Sequence, residues 1–523
     1  KEPKFFDIVT YTGNATNRTI SHNLGSVPGM ILIKDLSGTG AWAVFHRSVG
    51  NGAGQNYVLN LSTTAGDASG VWNGTSPTSS VFTVGTDGTV NESGRNFVAY
   101  LFAHNNNDGG FGPDGEDIIK CGHFDTNSSE EATIDLGFEP QWVFYKRYNG
   151  SSEGDWLIYD NIRGMQGDFL SQAALLEANT SDAEDATTNR IAVTSTGFKV
   201  DNWGTASVPF IYVAIRRPDM STPTVASSVF AVDTRNSTGD GNEPGYRSTF
   251  PVDMVIKRKD ITSGSGETHV ISRLTGTKYL RTYNSTSEDS DSGYLLDYMN
   301  GFNSATSTKT DRIAWMWKRA KGYFDVVAYS GTGSGAQNVT HNLGVVPEMM
   351  WIKVRSDADN WTVYHSALGN TKRLILNSSG EASSANEIFF NNTTPTSSVF
   401  TAGSLINASH TYIAHLFATV AGVSKVGSYT GNSSSTQDID CGFTNGAKMV
   451  ILKQTSHAES WEIYDTTRAL VAGNDYRLRL DATDAQATNS DFIDPLNSGF
   501  TAVADSNFNG RSYIFYAIAN DPS

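Results

Sequence analysis

Apolar side chains alternate with polar ones at a period of two along most of the chain, broken every few residues by Gly, Asn, Ser and Thr. That pattern predicts short β-strands joined by turns. In FVAYLFA, Phe97, Ala99 and Leu101 fall on one face and Val98, Tyr100 and Phe102 on the other. Both faces are apolar, which predicts a mid-sheet strand covered on both sides. No segment sustains a helical period through three turns. The nearest candidate, GDFLSQAALLEA from Gly167, stands where a sister segment has the strand-like RLILN, and it reads as strand or a single turn.

The pattern repeats at long range. FFDIVTYTGNATNRTISHNLGSVPGMILIKD, from Phe5, returns from Tyr323 as YFDVVAYSGTGSGAQNVTHNLGVVPEMMWIKV, which places His22 and His341 319 residues apart. The match continues through WAVFH and WTVYH, SPTSSVFTVG and TPTSSVFTAG, and FVAYLFAH and YIAHLFAT. A second unit type runs from near Cys121 to Arg217 and returns from near Lys425 to Ala519. Both types share one outline: an entry strand, a Gly turn, a strand ending in Lys, a Trp strand, a loop-rich middle and a closing apolar strand. Between them lies a third variant with PVDMVIKRK at the Lys strand and RIAWMWKRA at the closing strand.

The order is therefore A, B, C, A, B. The units span residues 1–104, 118–219, 220–321, 322–419 and 420–523, with an acidic Gly-rich linker at 105–117. Units of about 100 residues with evenly spaced turns predict an all-β protein, a tandem array of five jelly-roll-like β-sandwiches. Lys1 aligns with Arg319, just after the closing strand of the C unit, so the chain is expected to be the C-terminal part of a longer protein.

Composition narrows the function classes. The 523 residues carry 38 Lys and Arg against 54 Asp and Glu, a net charge of −16, which disfavours nucleic acid and anionic membrane surfaces. Gly (50 residues) and an aromatic content of 11% fit turns and packed strands rather than disorder. The two cysteines, Cys121 and Cys441, cannot build a disulfide framework and read as buried free thiols. No apolar run reaches the roughly 18 residues of a membrane span, so no membrane insertion is expected.

Candidate chemistry mostly reads as structural. HNLG at His22 and His341 is a turn between strands, where Asn and Gly suit positive φ. His46 and His365 end the Trp strand, where the B units have Asp160 and Asp465 three residues before Arg163 and Arg468, spaced for a salt-bridged turn. Trp42, Trp156, Trp361 and Trp461 are equivalent positions and read as core. Paired carboxylates such as Asp155 with Asp160 or Glu288 with Asp291 sit in ordinary loops, and no triad recurs, so no enzyme and no catalytic residue are expected. The ion-binding candidate is the linker, where Asn107, Asp108, Asp114, Glu116 and Asp117 offer hard oxygen ligands for Ca²⁺ in one Gly-rich loop without EF-hand spacing. A solvated acidic linker is the competing interpretation. No other cofactor is expected.

The motifs FFDIVTYTGN with ISHNLGSVPGMI, PTSSVFTVG, FVAYLFAHNNNDGGFGPDGEDIIKCG, and SKVGSYTGN with DCGF together resemble a repeated domain common in large virion proteins of tailed phages, especially marine ones. The resemblance covers nearly the whole chain and implies a tail fibre or spike on the virion surface, which presents loops to a host surface glycan or protein. Self-assembly, as a trimer in a tail fibre, and contacts with other virion proteins follow from the same resemblance. A capsid- or tail-decorating protein, a polysaccharide depolymerase and a bacterial surface filament protein are the alternatives.

Overall fold

The computed structural model describes all residues except 65–67, 70, 112–114, 149–153, 168, 170–172, 188–189, 202–205, 219–220, 235–243, 263, 305–310, 433, 504–505 and 522–523. The described chain is nearly all β, in paired antiparallel sheets that recur at the repeat positions. It divides into two compact units. Residues 1–165 and 172–219 form one, and residues 166–171 and 220–523 form the other.

The second A repeat shows the plan. Its strands are Phe324–Ser330, Gln337–Thr340, Met349–Val354 (the Lys strand), Thr362–His365 (the Trp strand), Lys372–Ile375, Ser383–Ser384, Val399–Ala402 and Thr411–Phe417 (the closing strand). Counted in that order, the large sheet runs 1-8-3-4-5-6 and the small one 2-7. The neighbours 1-8-3 and 2-7 are those of a jelly roll, while strands 4 to 6 continue as a meander in the large sheet. The first A, the C and the second B repeats keep the six-stranded order. In the first B repeat the large sheet has five strands, and the segment expected as strand or turn supplies the short strand Leu176–Glu177. Asp168 and residues 170–172 of that segment lie outside the described residues.

Local chemistry fixes this plan. In the A and B repeats the Gly of the turn before the Lys strand has positive φ, for example +71° at Gly25 and +76° at Gly344, where a side chain would be strained. The entry strand holds that turn through Asp7 and Asp325, which accept the amides of Asn23 (2.7 Å) and Asn342 (2.8 Å). A buried Asn staples the far end. Asn91, Asn407 and Asn507 accept the amides of Asn14, Thr332 and Asn432 at 2.8 to 3.0 Å. Beside each staple a stacked aromatic pair joins the entry and closing strands: Tyr11 with Phe97, Tyr329 with Tyr412, and Tyr429 with Tyr513, 4.7 to 5.3 Å apart.

Both faces of the large sheets are apolar, and in the C, second A and second B repeats both are covered. In the second A repeat, Met350, Ile352, Tyr412, Ala414 and Leu416 face the small sheet across the sandwich core. The alternate residues Met349, Trp351, Lys353, Trp361, His415 and Phe417 are at most 1% exposed, and neighbouring repeats cover them.

That second covering makes the C, second A and second B repeats a closed ring in which each member uses the same surface toward the one before it. Trp361 of the A repeat donates its indole N–H to the carbonyl of Arg281 in the C repeat (2.8 Å). Trp461 of the B repeat donates to Ile375 of the A repeat (3.0 Å). Lys353 reaches the carbonyl of Ser285 (3.2 Å), and Lys453 reaches that of Ser379 (3.0 Å). The C repeat closes the circle on the B repeat with different residues. Strand pairing of Met254 with Ser272 and of Arg258 with Thr268 puts Arg258, rather than Lys257, at the Lys position and Thr268 at the Trp position. Arg258 bonds Thr268 (2.8 Å) and the carbonyls of Ala482 (2.7 Å) and Asp484 in the B repeat. The smaller Thr makes room for the longer Arg. Arg468 packs over Trp315, whose indole donates to Asp465 (3.1 Å), and seals the same junction.

The other unit repeats one such junction. Trp156 of the first B repeat donates to the carbonyl of Asn60 (2.9 Å), Lys146 to that of Thr64 (3.0 Å), and His46 meets the carbonyl of Tyr212 (3.1 Å). The core location expected for the tryptophans therefore needs correction. Trp156, Trp361 and Trp461 are buried between sandwiches, not within them, and Trp42 stays partly exposed.

Candidate functional site

The histidines of the HNLG turns serve the backbone. His22 accepts the Leu24 amide on Nδ1 (3.2 Å) and contacts the Thr78 carbonyl through Nε2 (3.2 Å), and His341 repeats both contacts with Leu343 and Thr396. Burial lowers the pKa of each. The Asp and Arg turns are salt bridged as their spacing implied, with 2.6 Å between Asp160 and Arg163 and 2.7 Å between Asp465 and Arg468. Asp155 accepts from Asn179 (2.7 Å) and Glu288 is held by Arg355 (2.7 Å) and Lys278 (3.0 Å), so cations or amides take up both carboxylates. Cys121 and Cys441 are buried free thiols, and burial pushes both up to about 12.

In the linker, Asp117 accepts the amides of Asn107 (2.9 Å) and Gly109 (3.1 Å) and lies 3.5 Å from Lys120. Burial opposes ionisation of Asp117, but these donors hold its carboxyl below the ordinary range. Asp108 caps the Asn106 amide (2.8 Å), and Glu116 pairs with Arg216 (2.7 Å). Asp114 lies outside the described residues. The described carboxylates thus tie the loop to itself and to the B repeat, and among the described residues no group of three or more His, Cys, Asp or Glu is placed to share a metal.

The pocket with the most distinctive chemistry opens at the mouth of the second B sandwich. It encloses about 210 Å³ and is lined by Leu452, Gln454, Glu462, Phe492, Phe508 and Tyr513, with Glu459 also on its wall. The lining comes from the ends of three neighbouring strands: Ala447–Gln454, Glu462–Asp465 and Ser512–Ala519. Phe492 and Phe508 flank the short strands of the small sheet, and Arg477 and Arg511 pack over these two rings at 4.2 and 4.3 Å. Glu462 is 6% exposed. Its Oε1 accepts from Arg477 (2.9 Å) and Arg479 (3.4 Å), while its buried Oε2 has no hydrogen-bond partner among the described residues. Burial raises its pKa despite the two arginines. Gln454 donates to the Tyr513 hydroxyl (2.8 Å). The result is a small apolar cup with a carboxylate, an amide and a phenol at its walls.

Sequence reasoning did not single out this pocket, although one signal was present. Strand register places Glu462 where the other repeats have Ala43, Leu157, His269 and Thr362. Period two points that position into the sandwich, so a carboxylate there is out of pattern.

Fold and site together define a tandem all-β repeat protein whose jelly-roll-like sandwiches pack side by side through Trp and Lys or Arg contacts. The chain belongs to the domain of unknown function family DUF7483, whose model matches residues 3–217 and 258–522. Among curated proteins, none matches the chain.

Proposed function

We propose that this protein is a structural and adhesion component of a phage virion, a tail fibre or spike on the particle surface, and that the mouth of its second B sandwich binds a sugar of a host surface glycan. The observation that carries the reading is the ring. Three sandwiches locked side by side within one chain make a stiff scaffold, and the mouth positions that vary among them, Glu462 against Thr362 and His269, are free to differ without disturbing the shared contacts. The cup of about 210 Å³ is the size of a single pyranose, with aromatic faces for its C–H surface and Glu462, Gln454 and Tyr513 for its hydroxyls. Several weak sites on a particle add avidity.

The test is binding of the purified chain to host cells, competed by extracted surface glycan. Adhesion through this mouth requires that Phe508→Ala and Gln454→Ala lose binding while folding is kept. Particle association without any cell binding would instead identify a decorating protein.

One observation favours a second reading. Glu459 and Glu462 line the same pocket, and Glu462 is the kind of carboxyl, raised by burial, that serves as a general acid in glycoside cleavage. Loss of polysaccharide viscosity that disappears in Glu462→Gln would make the protein a depolymerase.

A further inference from the structure

The two A repeats share nearly every motif, yet one face of their large sheets is solvated differently. Trp351, Lys353, Trp361, His415 and Phe417 of the second A repeat are at most 1% exposed. Their register equivalents Leu32, Lys34, Trp42, Tyr100 and Phe102 are all partly exposed. The B repeats differ in the same way. Met449, Ile463, Asp465 and Ile518 are fully buried in the ring, whereas their counterparts Trp142, Ile158, Asp160 and Ile215 are partly exposed. Of their buried counterparts, Lys353 and Trp361 bond carbonyls of the C repeat and Asp465 accepts from its Trp315, while Phe417 packs against Tyr516 of the second B repeat.

The polar contacts agree. Each ring lysine pairs with a carbonyl across a junction, and Lys453 also holds Glu459 of its own loop at 2.5 Å. Lys34 makes the own-loop bond, to Gly40, and no bond across a junction among the described residues. The Trp42 indole N–H has no hydrogen-bond partner among the described residues, although its three counterparts all donate to a neighbouring repeat. Asp160 keeps its Arg163 turn, but among the described residues no indole donates to it as Trp315 donates to Asp465.

We infer that the A and B pair of residues 1–219 is a docking surface for a third sandwich of the C type, seated as the C repeat is seated between the second A and second B repeats. The partner is specified by the contacts left open. It must offer a strand carbonyl to Trp42 and a loop carbonyl to Lys34, and it must carry an indole on its closing strand for Asp160. Its apolar sheet face would cover Leu32, Tyr100, Phe102, Ile158 and Ile215. An arginine at the Arg258 position would bind the loop after Leu176–Glu177 as Arg258 binds Ala482.

The probe is a second copy of residues 220–318 fused ahead of Lys1 of the full chain, the tether serving to raise its local concentration. Ile158→Cys and Tyr100→Cys report on the surface through their rate of thiol labelling. Labelling should be about tenfold or more slower in the fusion than in the unfused chain. The added copy should lose that protection when its own Trp315 equivalent is changed to Ala. Unchanged labelling overturns the inference, whether the added copy is folded or not, because a competent surface would hold and template it. Protection in the unfused chain that grows with protein concentration would also overturn it, by making a second copy the occupant.

Discussion

The two A repeats carry the same HNLG turn, the same Asn staple and the same Tyr stack, and they fold alike. They part company on the sheet face turned away from their own core, where Trp361 is buried with its indole bonded to the C repeat and Trp42 is partly exposed. A motif therefore fixes which face is apolar, while the neighbour decides whether that face is buried. Repeat proteins distribute stability in this manner, with intrinsic terms inside each repeat and interface terms between them. The C repeat sharpens the point. It keeps the junction but exchanges Lys and Trp for Arg258 and Thr268, so what is preserved is the contact and not the residues.

The comparison can be broken most directly at the tryptophans. Trp361→Ala or Trp461→Ala removes a fully buried indole and its bond, and should destabilise the C, A and B ring by about 3 to 5 kcal/mol. Trp42→Ala should cost under about 1 kcal/mol. Chemical denaturation with hydrogen exchange read separately for residues 1–219 and 220–523 measures both, and equal costs would remove the distinction between the two regions.

Next in size is Arg258→Ala, which leaves the Ala482 and Asp484 carbonyls without their donor and should cost about 2 to 3 kcal/mol. The paired change Arg258→Lys with Thr268→Trp recreates the residue set of the A and B repeats and should recover most of that loss. Failure to recover would mean the C junction differs in geometry as well as in residues.

Acid should weaken both regions. Burial holds His46 down to about 3 and His104 to about 4 in one region, and His365 and His269 to about 4 and His415 to about 3 in the other. Each is neutral when folded and binds a proton when unfolded below about pH 6.5, so stability is present above that pH and falls as pH drops toward 4. Asp475 has the opposite sign. Burial raises it to about 7, so its contribution declines as pH rises from about 4 to 7, and Asp475→Asn should flatten that limb in the 220–523 region only. Melting curves across pH 4 to 8 separate the two effects. His415→Tyr, which installs the side chain found at Tyr100 and Tyr516, should reduce the acid slope of the ring and leave that of residues 1–219 unchanged.

The smallest expected effect is at the linker. With Asp117 and Glu116 already engaged by backbone amides, Lys120 and Arg216, a chelator should leave the melting temperature of residues 1–219 unchanged. A fall of several degrees would instead assign Ca²⁺ to Asn107, Asp108, Asp114, Glu116 and Asp117.

Much of this architecture was legible along the chain because strands announce themselves locally. Period two, Gly at positive φ, and recurrence of HNLG and the Trp strand are one-dimensional signals, and they announced the all-β class with repeated sheets and the salt-bridged turns at Asp160 and Asp465. The two-sided apolarity of FVAYLFA announced a second covering, which its counterpart YIAHLFA has in full, whereas Tyr100 and Phe102 of FVAYLFA itself stay partly exposed. What covers it was not legible, since a sandwich core and a junction between sandwiches ask for the same side chains. For that reason Trp156, Trp361 and Trp461 looked like core. Only register showed that Arg258 holds the Lys position, because PVDMVIKRK offers three basic residues in sequence and period two alone does not choose among them. The cup around Glu462 likewise needed three strand ends and a distant loop brought together. The sequence determined the sandwiches through local patterning, and the tertiary structure decided their company, because junction contacts join backbone carbonyls and side chains that lie 68 to 226 residues apart in the chain.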